Sequence, residues 1–271
     1  MRVVSPAVGD DEVRSLVGVK PRGVPAGWER LAPPLRLVDD AGATVGVYLR
    51  CEGAATSVRR ILAQATPEVA LRTNGMPGCR LIFGSLPRAT LRNDYCRFSA
   101  HTARYPELYP EARRAVESVS GAYAEGMPEA YAAHLAATGK VLPHWRFGDT
   151  PFTTLNVNIN FAIPYHYDAG NQRAHPSNVL VVKRGTLGAE LLLPQYRVAL
   201  RMADGDLVVF QGGRVLHGVT PLRKIAPDAY RASVVAYTMQ GMEHCLCAAD
   251  ELVRARSKRS EKEAVWRSPK H

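Results

Sequence analysis

No stretch of this 271-residue sequence approaches the roughly 18 consecutive apolar residues that a membrane-spanning helix needs. Its apolar runs are pieces as short as Val179–Val182 and Leu207–Phe210, so no membrane partner is expected. The first residues lack the apolar block of an export signal and carry Asp10, Asp11 and Glu12 instead, so an intracellular, cytoplasmic location is expected. There is no internal repeat and no low-complexity tract, which argues against solenoids and disordered linkers. Cysteine is sparse: five residues, an odd number, scattered along the chain. Without an export signal they read as reduced thiols. Acid is also in short supply, 25 Asp and Glu against 35 Lys and Arg, for a net charge of +10. Such a surplus favours a polyanionic partner, nucleic acid before an acidic membrane.

What is present is a globular balance, 46% hydrophobic and 22% charged, enough to fill a sizeable core. Residues 1–50 are rich in Pro and Gly, with strand-like pieces at Arg36–Val38 and Thr44–Leu49. Residues 54–65 have helical spacing. From Pro110 to Thr138 the Ala- and Glu-rich text predicts one or two helices, interrupted near Gly126-Met127-Pro128. After Gly148, β-branched and aliphatic runs alternate with turn residues. Strands are expected at 152–166, 178–183, 189–193, 197–202, 206–210, 215–220 and 231–239. Short strands at that spacing indicate a barrel or jelly roll. The text after Asp250 holds seven Lys/Arg against three Glu and reads as a partly helical or loose basic appendage. The expected division is an α/β extension over 1–70, a core over 71–242 (helical at 110–138, barrel at 151–242) and a basic tail over 243–271.

The chemistry lies in the second half. In Pro164–Asn171, PYHYDAGN, His166 and Asp168 stand two apart and share a face if the backbone is extended. His217 follows Asp168 by 49 residues and ends the run GRVLHGV. Two His and one carboxylate form the facial triad of non-haem Fe(II) oxygenases, which leaves coordination positions open. An H-x-D tripeptide is weak alone, and a hydrogen-bonded strand histidine would look the same. Arg231 follows His217 by 14 residues and opens the run RASVVAYTM. Period-2 geometry puts Arg231, Ser233, Val235, Tyr237 and Met239 on one face. If that face is buried, the guanidinium needs an anion. A carboxylate gripped by Arg231 and Ser233 fits the far end of 2-oxoglutarate. Asn156, Asn158 and Asn160 alternate on another strand, and Asn158 is a further candidate for the cosubstrate pocket.

These spacings resemble an Fe(II)/2-oxoglutarate-dependent dioxygenase, and more particularly the TET/JBP family, in its compact bacteriophage or bacterial branch. The text that carries the resemblance is FTTLNVN (152–158), HYDAGN (166–171), LLLPQY (191–196), GDLVVFQGGRVLHGVTPL (205–222) and RASVVAY (231–237), with NGMPGCRLIFGSLPR (74–88) more distant. The resemblance implies an α+β fold: a double-stranded β-helix core of jelly-roll or cupin type, with N-terminal helices packed outside. It implies Fe(II), 2-oxoglutarate and O₂ as cofactors, with His166, Asp168 and His217 as the catalytic metal ligands. It implies oxidation of the 5-methyl group of a pyrimidine in DNA, 5-methylcytosine or thymine, with the target base flipped out of the duplex. Asn171 matches the position that bonds the base edge, and Tyr237 the one that stacks on the base. Met239 stands where TET enzymes have a second base-contacting His, which leaves thymine open as the target. The cysteine-rich zinc region of animal TETs is missing, and the His244, Cys245 and Cys247 cluster is not read as a zinc site.

Residues 72–98 hold Arg72, Arg80, Arg88, Arg92 and Arg97 against a single Asp94, interleaved with Phe83, Tyr95 and Phe98. As a group they are the expected phosphate-contacting surface. Two rivals stand beside this reading. One is the same chemistry on a free nucleobase, a small metabolite or a protein side chain. The other is a non-catalytic DNA-binding or ligand-sensing barrel.

Overall fold

The computed structural model describes residues 1–71, 77–89, 94–168 and 175–267. The strands of the first half are β1 (Arg2–Val4), β2 (Glu29–Leu31), β3 (Leu35–Val38), β4 (Thr44–Arg50), β5 (Glu68–Leu71), β6 (Pro77–Leu86) and β7 (Arg97–Phe98). Those of the second half are β8 (Thr154–Ile159), β9 (Ser177–Arg184), β10 (Thr186–Gly188), β11 (Leu191–Leu193) and β12 (Val198–Leu200). They continue with β13 (Asp206–Phe210), β14 (Gly218–Val219), β15 (Leu222–Lys224) and β16 (Tyr230–Tyr237). The helices are α1 (Asp10–Arg14), α2 (Glu52–Gln64), α3 (Ala100–Arg104), α4 (Tyr109–Gly126), α5 (Pro128–Ala137) and α6 (Ala248–Arg267).

A principal sheet runs in the order β1-β3-β4-β13-β9-β16-β8-β6-β5, with β7 added to β6. A second sheet runs β14-β11-β12-β2, and β10 pairs with β15. The two larger sheets close on each other over an apolar interior that includes Leu35, Leu37, Tyr48, Val181, Val208 and Phe210 from one and Leu191, Leu193, Val198 and Leu200 from the other. The opposite face of the principal sheet carries Val47, Leu81, Phe83, Leu155, Val157, Leu180, Val182, Leu207 and Val209, which pack on α2 and α4. This explains why β9, β13 and β16 read as nearly unbroken apolar runs: a strand covered on both faces has no solvent side to mark with polar residues. The result is a double-stranded β-helix with helices outside, as the sequence predicts.

The helical reading of 54–65 corresponds to α2, and the interruption near 126–128 falls between α4 and α5. Pro128 opens α5, where its missing N–H is one of the unpaired donors of a helix start. Several strand boundaries differ. The strand expected over 152–166 stops at Ile159, because Asn160 takes a left-handed φ of 59° and turns the chain away. The stretch 215–220 contains only the two residues of β14. Residues 1–70 supply β4 to the principal sheet beside β13 and β2 to the second sheet beside β12. The C-terminal segment forms α6. Its buried Glu251 accepts from Arg88 at 2.6 Å and from the N–H groups of Cys96 and Leu246, while Arg254 pairs with Asp94 at 2.8 Å.

The cysteine reading is corrected. Cys96 and Cys245, 149 residues apart, form a disulfide, and Cys51, Cys79 and Cys247 are free. The chain beyond β16 folds back onto the segment leading into β7, so the two sulfurs meet inside a small cluster with Val141, Trp145 and Met242. Sequence separation carries no sign of that return. Among the described residues, no helix is long and apolar enough to cross a membrane.

Candidate active site

Two distant pieces of chain meet beside the β-helix: one carries His166 and Asp168, the other His217. His166 and His217 exchange backbone hydrogen bonds, at 2.8 and 3.1 Å. Their rings lie 4.2 Å apart, centroid to centroid. Asp168 is fixed by its own N–H, which donates to the Gly212 carbonyl at 2.9 Å. The result places Asp168 Oδ1 3.7 Å from Nε2 of both histidines. Among the described residues this is the one group of three His, Cys, Asp or Glu whose ligand atoms converge, all within 4.8 Å of one another.

Each imidazole is oriented by backbone. Nδ1 of His166 lies 2.9 Å from the Pro164 carbonyl, and Nδ1 of His217 lies 3.0 Å from the Val215 carbonyl. A carbonyl accepts only, so each Nδ1 donates there, and Nε2 is the nitrogen left turned toward Asp168. Burial disfavours a charge on His217 and lowers its pKa, with Asp168 opposing the shift. Two imidazoles and a carboxylate converging on one point are the donor set of a facial triad.

The missing side chain of Gly212 leaves the space that the Asp168 carboxylate occupies. A Cβ there would stand 2.3 Å from Asp168 Oδ2 and 3.0 Å from its Cγ. Sequence reasoning missed it, although the doublet Gly212-Gly213 between β13 and His217 was the available signal.

The second half of the site lies on the inner face of the principal sheet. Arg231 is 1% exposed and its guanidinium donates to Ser233 Oγ. Its backbone N–H donates to Asn160 Oδ1 at 3.0 Å, which links the turn after β8 to the start of β16. No carboxylate lies within ion-pair distance of Arg231 among the described residues, and its Nε is buried with no acceptor. Burial pushes the guanidinium pKa down to about 10. An unpaired buried cation is costly, and its orphaned donor calls for an anion. Ser233 pairs in register with Asn158, and Asn158 with Arg80. These three therefore lie in one row on the same face. Ala232, Val234 and Ala236 point the other way, into the interface with the helices.

Tyr237 shares the Ser233 face and ends β16 opposite Thr154. Met239, two residues on, has left the strand and packs on the cluster around the Cys96–Cys245 disulfide. Asn156 pairs with Val235 on the inner face, and its Oδ1 is buried with no donor. Asn178 acts as a backbone substitute, its amide exchanging bonds with the Ala236 carbonyl at 2.6 Å and N–H at 2.9 Å.

The described arginines of the Arg-rich stretch have separate surroundings. Arg88 is bound by Glu251, Arg97 lies over the Tyr95 ring, and Arg80 stands in the inner-face row. Asn171, Arg72 and Arg92 lie outside the described residues.

The profile of the Tet_JBP family, described as the oxygenase domain of the 2OGFeDO superfamily, matches residues 87–240. The chain belongs to the TET/JBP family. Its curated relatives include thymine dioxygenase JBP1-A of Trypanosoma cruzi, 27% identical over 202 residues that make up 73% of this chain and 24% of the relative. Thymine dioxygenase JBP1 of Crithidia fasciculata is 28% identical over 181 residues, 64% of this chain and 22% of the relative. The chain thus spans about a quarter of the length of these relatives. Among solved structures, NgTET1 in complex with 5mC DNA superposes with a TM-score of 0.54 at 11% identity, covering 80% of this chain and 84% of that one. That likeness is one of fold. The family match takes in all three converging side chains and both Arg231 and Ser233.

Proposed function

We propose that the chain is an Fe(II)- and 2-oxoglutarate-dependent dioxygenase that hydroxylates the 5-methyl group of a pyrimidine in DNA. The observation that carries this reading is the joint presence of the His166, Asp168 and His217 convergence and a buried Arg231 on the adjoining sheet face with no carboxylate partner among the described residues. His166, Asp168 and His217 would hold Fe(II), and Arg231 with Ser233 would hold the far carboxylate of 2-oxoglutarate. With O₂, the metal and cosubstrate supply the oxidation of an unactivated methyl C–H bond.

The chain's own contribution is placement. By accepting from Nδ1, the carbonyls of Pro164 and Val215 leave the Nε2 atoms as the nitrogens that would face the metal. Arg231 fixes one end of a small dicarboxylate, so that its other end is presented to the metal ligands. The His217 ring packs edge-on against Phe210, 4.9 Å between centroids, so the apolar interior forms the floor beneath the site. A base inside a duplex cannot reach such a floor, so it must be flipped, at a cost of a few kcal/mol. A ring stacked on Tyr237 would return about 1–3 kcal/mol. Asn171 is proposed for the base edge and Arg72, Arg80, Arg88, Arg92 and Arg97 for the phosphates. For Arg88 that role competes with the Glu251 pair.

The relatives named thymine dioxygenase make thymine the first substrate to test, with 5-methylcytosine second. The test is incubation with oligonucleotides holding each base, followed by mass spectrometry of the digested nucleosides. The expected products are 5-hydroxymethyluracil or 5-hydroxymethylcytosine, dependent on 2-oxoglutarate and lost in Asp168→Ala. No oxidised nucleoside from either oligonucleotide, alongside succinate formation on a free base or a protein, would replace DNA as the substrate.

A further inference from the structure

We infer that Lys183 is a second cosubstrate-binding residue, its ammonium gripping the same carboxylate as Arg231 from the neighbouring strand. The inference rests on the proposed dioxygenase reading and assigns a role to a residue outside the family motifs quoted above. Lys183 on β9 is the direct cross-strand partner of Arg231 on β16, so the two cationic side chains rise from the same face of the sheet. Like charges directly opposite one another destabilise a sheet. Here one of them is fully buried and the other half-buried, where screening by water is weak.

The surrounding acids do not resolve the conflict. Asp206, Asp204 and Glu190 are the carboxylates whose charges reach Lys183. Asp206 is committed to the Tyr48 hydroxyl at 2.5 Å, the Ala203 N–H at 2.7 Å and Arg50 at 3.4 Å. Asp204 is taken by Arg59 and by the backbone N–H of Lys183, and Glu190 by Arg30 at 3.0 Å. No carboxylate lies within ion-pair distance of the Lys183 ammonium among the described residues, and none lies so close to Arg231. Burial, and then Arg231, lower the pKa of Lys183, as expected for an ammonium short of an anion. A carboxylate seated between a guanidinium and an ammonium would satisfy the orphaned Nε of Arg231 and end the repulsion together.

The experiment is calorimetric binding to the whole chain, with Mn(II) occupying the metal site so that turnover does not intervene. The probes are 2-oxoglutarate and 2-oxopentanoate, which keeps the keto-acid end and lacks the far carboxylate. Lys183→Met is expected to weaken 2-oxoglutarate by about tenfold or more and to leave 2-oxopentanoate unchanged. Lys183→Arg should restore most of the loss. The melting temperature of Lys183→Met without ligand should stay level or rise, since a like-charge neighbour has gone. Unchanged 2-oxoglutarate affinity, or an equal loss for both ligands, would overturn the inference. Arg231→Met separates the two levels. If it abolishes 2-oxoglutarate binding while Lys183→Met does not, only the role of Lys183 falls; if both variants bind as wild type, the cosubstrate reading falls with it. Lys183→Gln serves in place of Lys183→Met if the latter does not fold.

Discussion

Substituting Gly212 by alanine puts one methyl group into the tightest contact of the site. The added Cβ would sit 2.3 Å from Asp168 Oδ2, 3.0 Å from its Cγ and 3.1 Å from Ser177 Oγ. Neither backbone can retreat freely. The Gly212 carbonyl holds the Asp168 N–H at 2.9 Å, and the Gly212 N–H holds the Phe210 carbonyl at 2.8 Å. A normal carbon–oxygen contact needs about 1 Å more room, so the carboxylate must swing away from the two Nε2 atoms. Overpacking of this kind costs about 1–3 kcal/mol of stability. Disturbing the support of a ligand typically costs about 10- to 100-fold in metal affinity, or about 1.4–2.7 kcal/mol. Metal titration by calorimetry and thermal melting of the apo chain measure the two effects separately. In an Asp168→Ala background the same substitution has little left to strike, so its stability cost should shrink by more than half. The two changes should therefore be non-additive. Wild-type metal affinity in Gly212→Ala, or an equal stability cost in both backgrounds, would refute the placement of Asp168 against Gly212.

Arg231→Met exchanges a buried, unpaired guanidinium for an apolar side chain. Such exchanges are neutral or stabilising by about 1–4 kcal/mol, so the apo melting temperature should hold or rise while stabilisation by added 2-oxoglutarate disappears. Asn178→Ala leaves the Ala236 N–H and carbonyl unpaired inside the sheet and should cost about 2–4 kcal/mol in urea unfolding. Arg114, by its hydrogen bond, holds the Glu111 carboxyl down at about 2, from an ordinary 4.5. Its folded-state pKa is depressed, so its stabilising contribution is complete above about 4.5 and is lost as pH falls toward about 2. Glu111→Gln should flatten that acid limb by roughly 1 kcal/mol after solvent screening, as followed by urea unfolding at successive pH values. DNA affinity should fall steeply with added salt if phosphates are contacted, and a flat response in a filter-binding titration would remove the basic surface from the account.

Spacing along the sequence picks out His166, Asp168 and His217 as candidate ligands and indicates a β-rich second half after the helices. An H-x-D on extended backbone, a His after a β run and an Arg opening the last strand are local signals, because strand alternation and turn chemistry act over a few residues. The helices at 52–64 and around the 126–128 break were legible for the same reason. The packed fold is what brings Asp168 within 3.7 Å of both histidines, leaves Arg231 without a carboxylate among the described residues, and sets Lys183 across from it. Register between strands far apart in sequence follows from the packing of whole sheets, and alternation within one strand does not contain it. The Cys96–Cys245 bond and the capture of Arg88 by Glu251 have the same origin. They join segments 149 and 163 residues apart that meet because the chain after β16 returns to the start of β7, and no property of either segment alone requires that return.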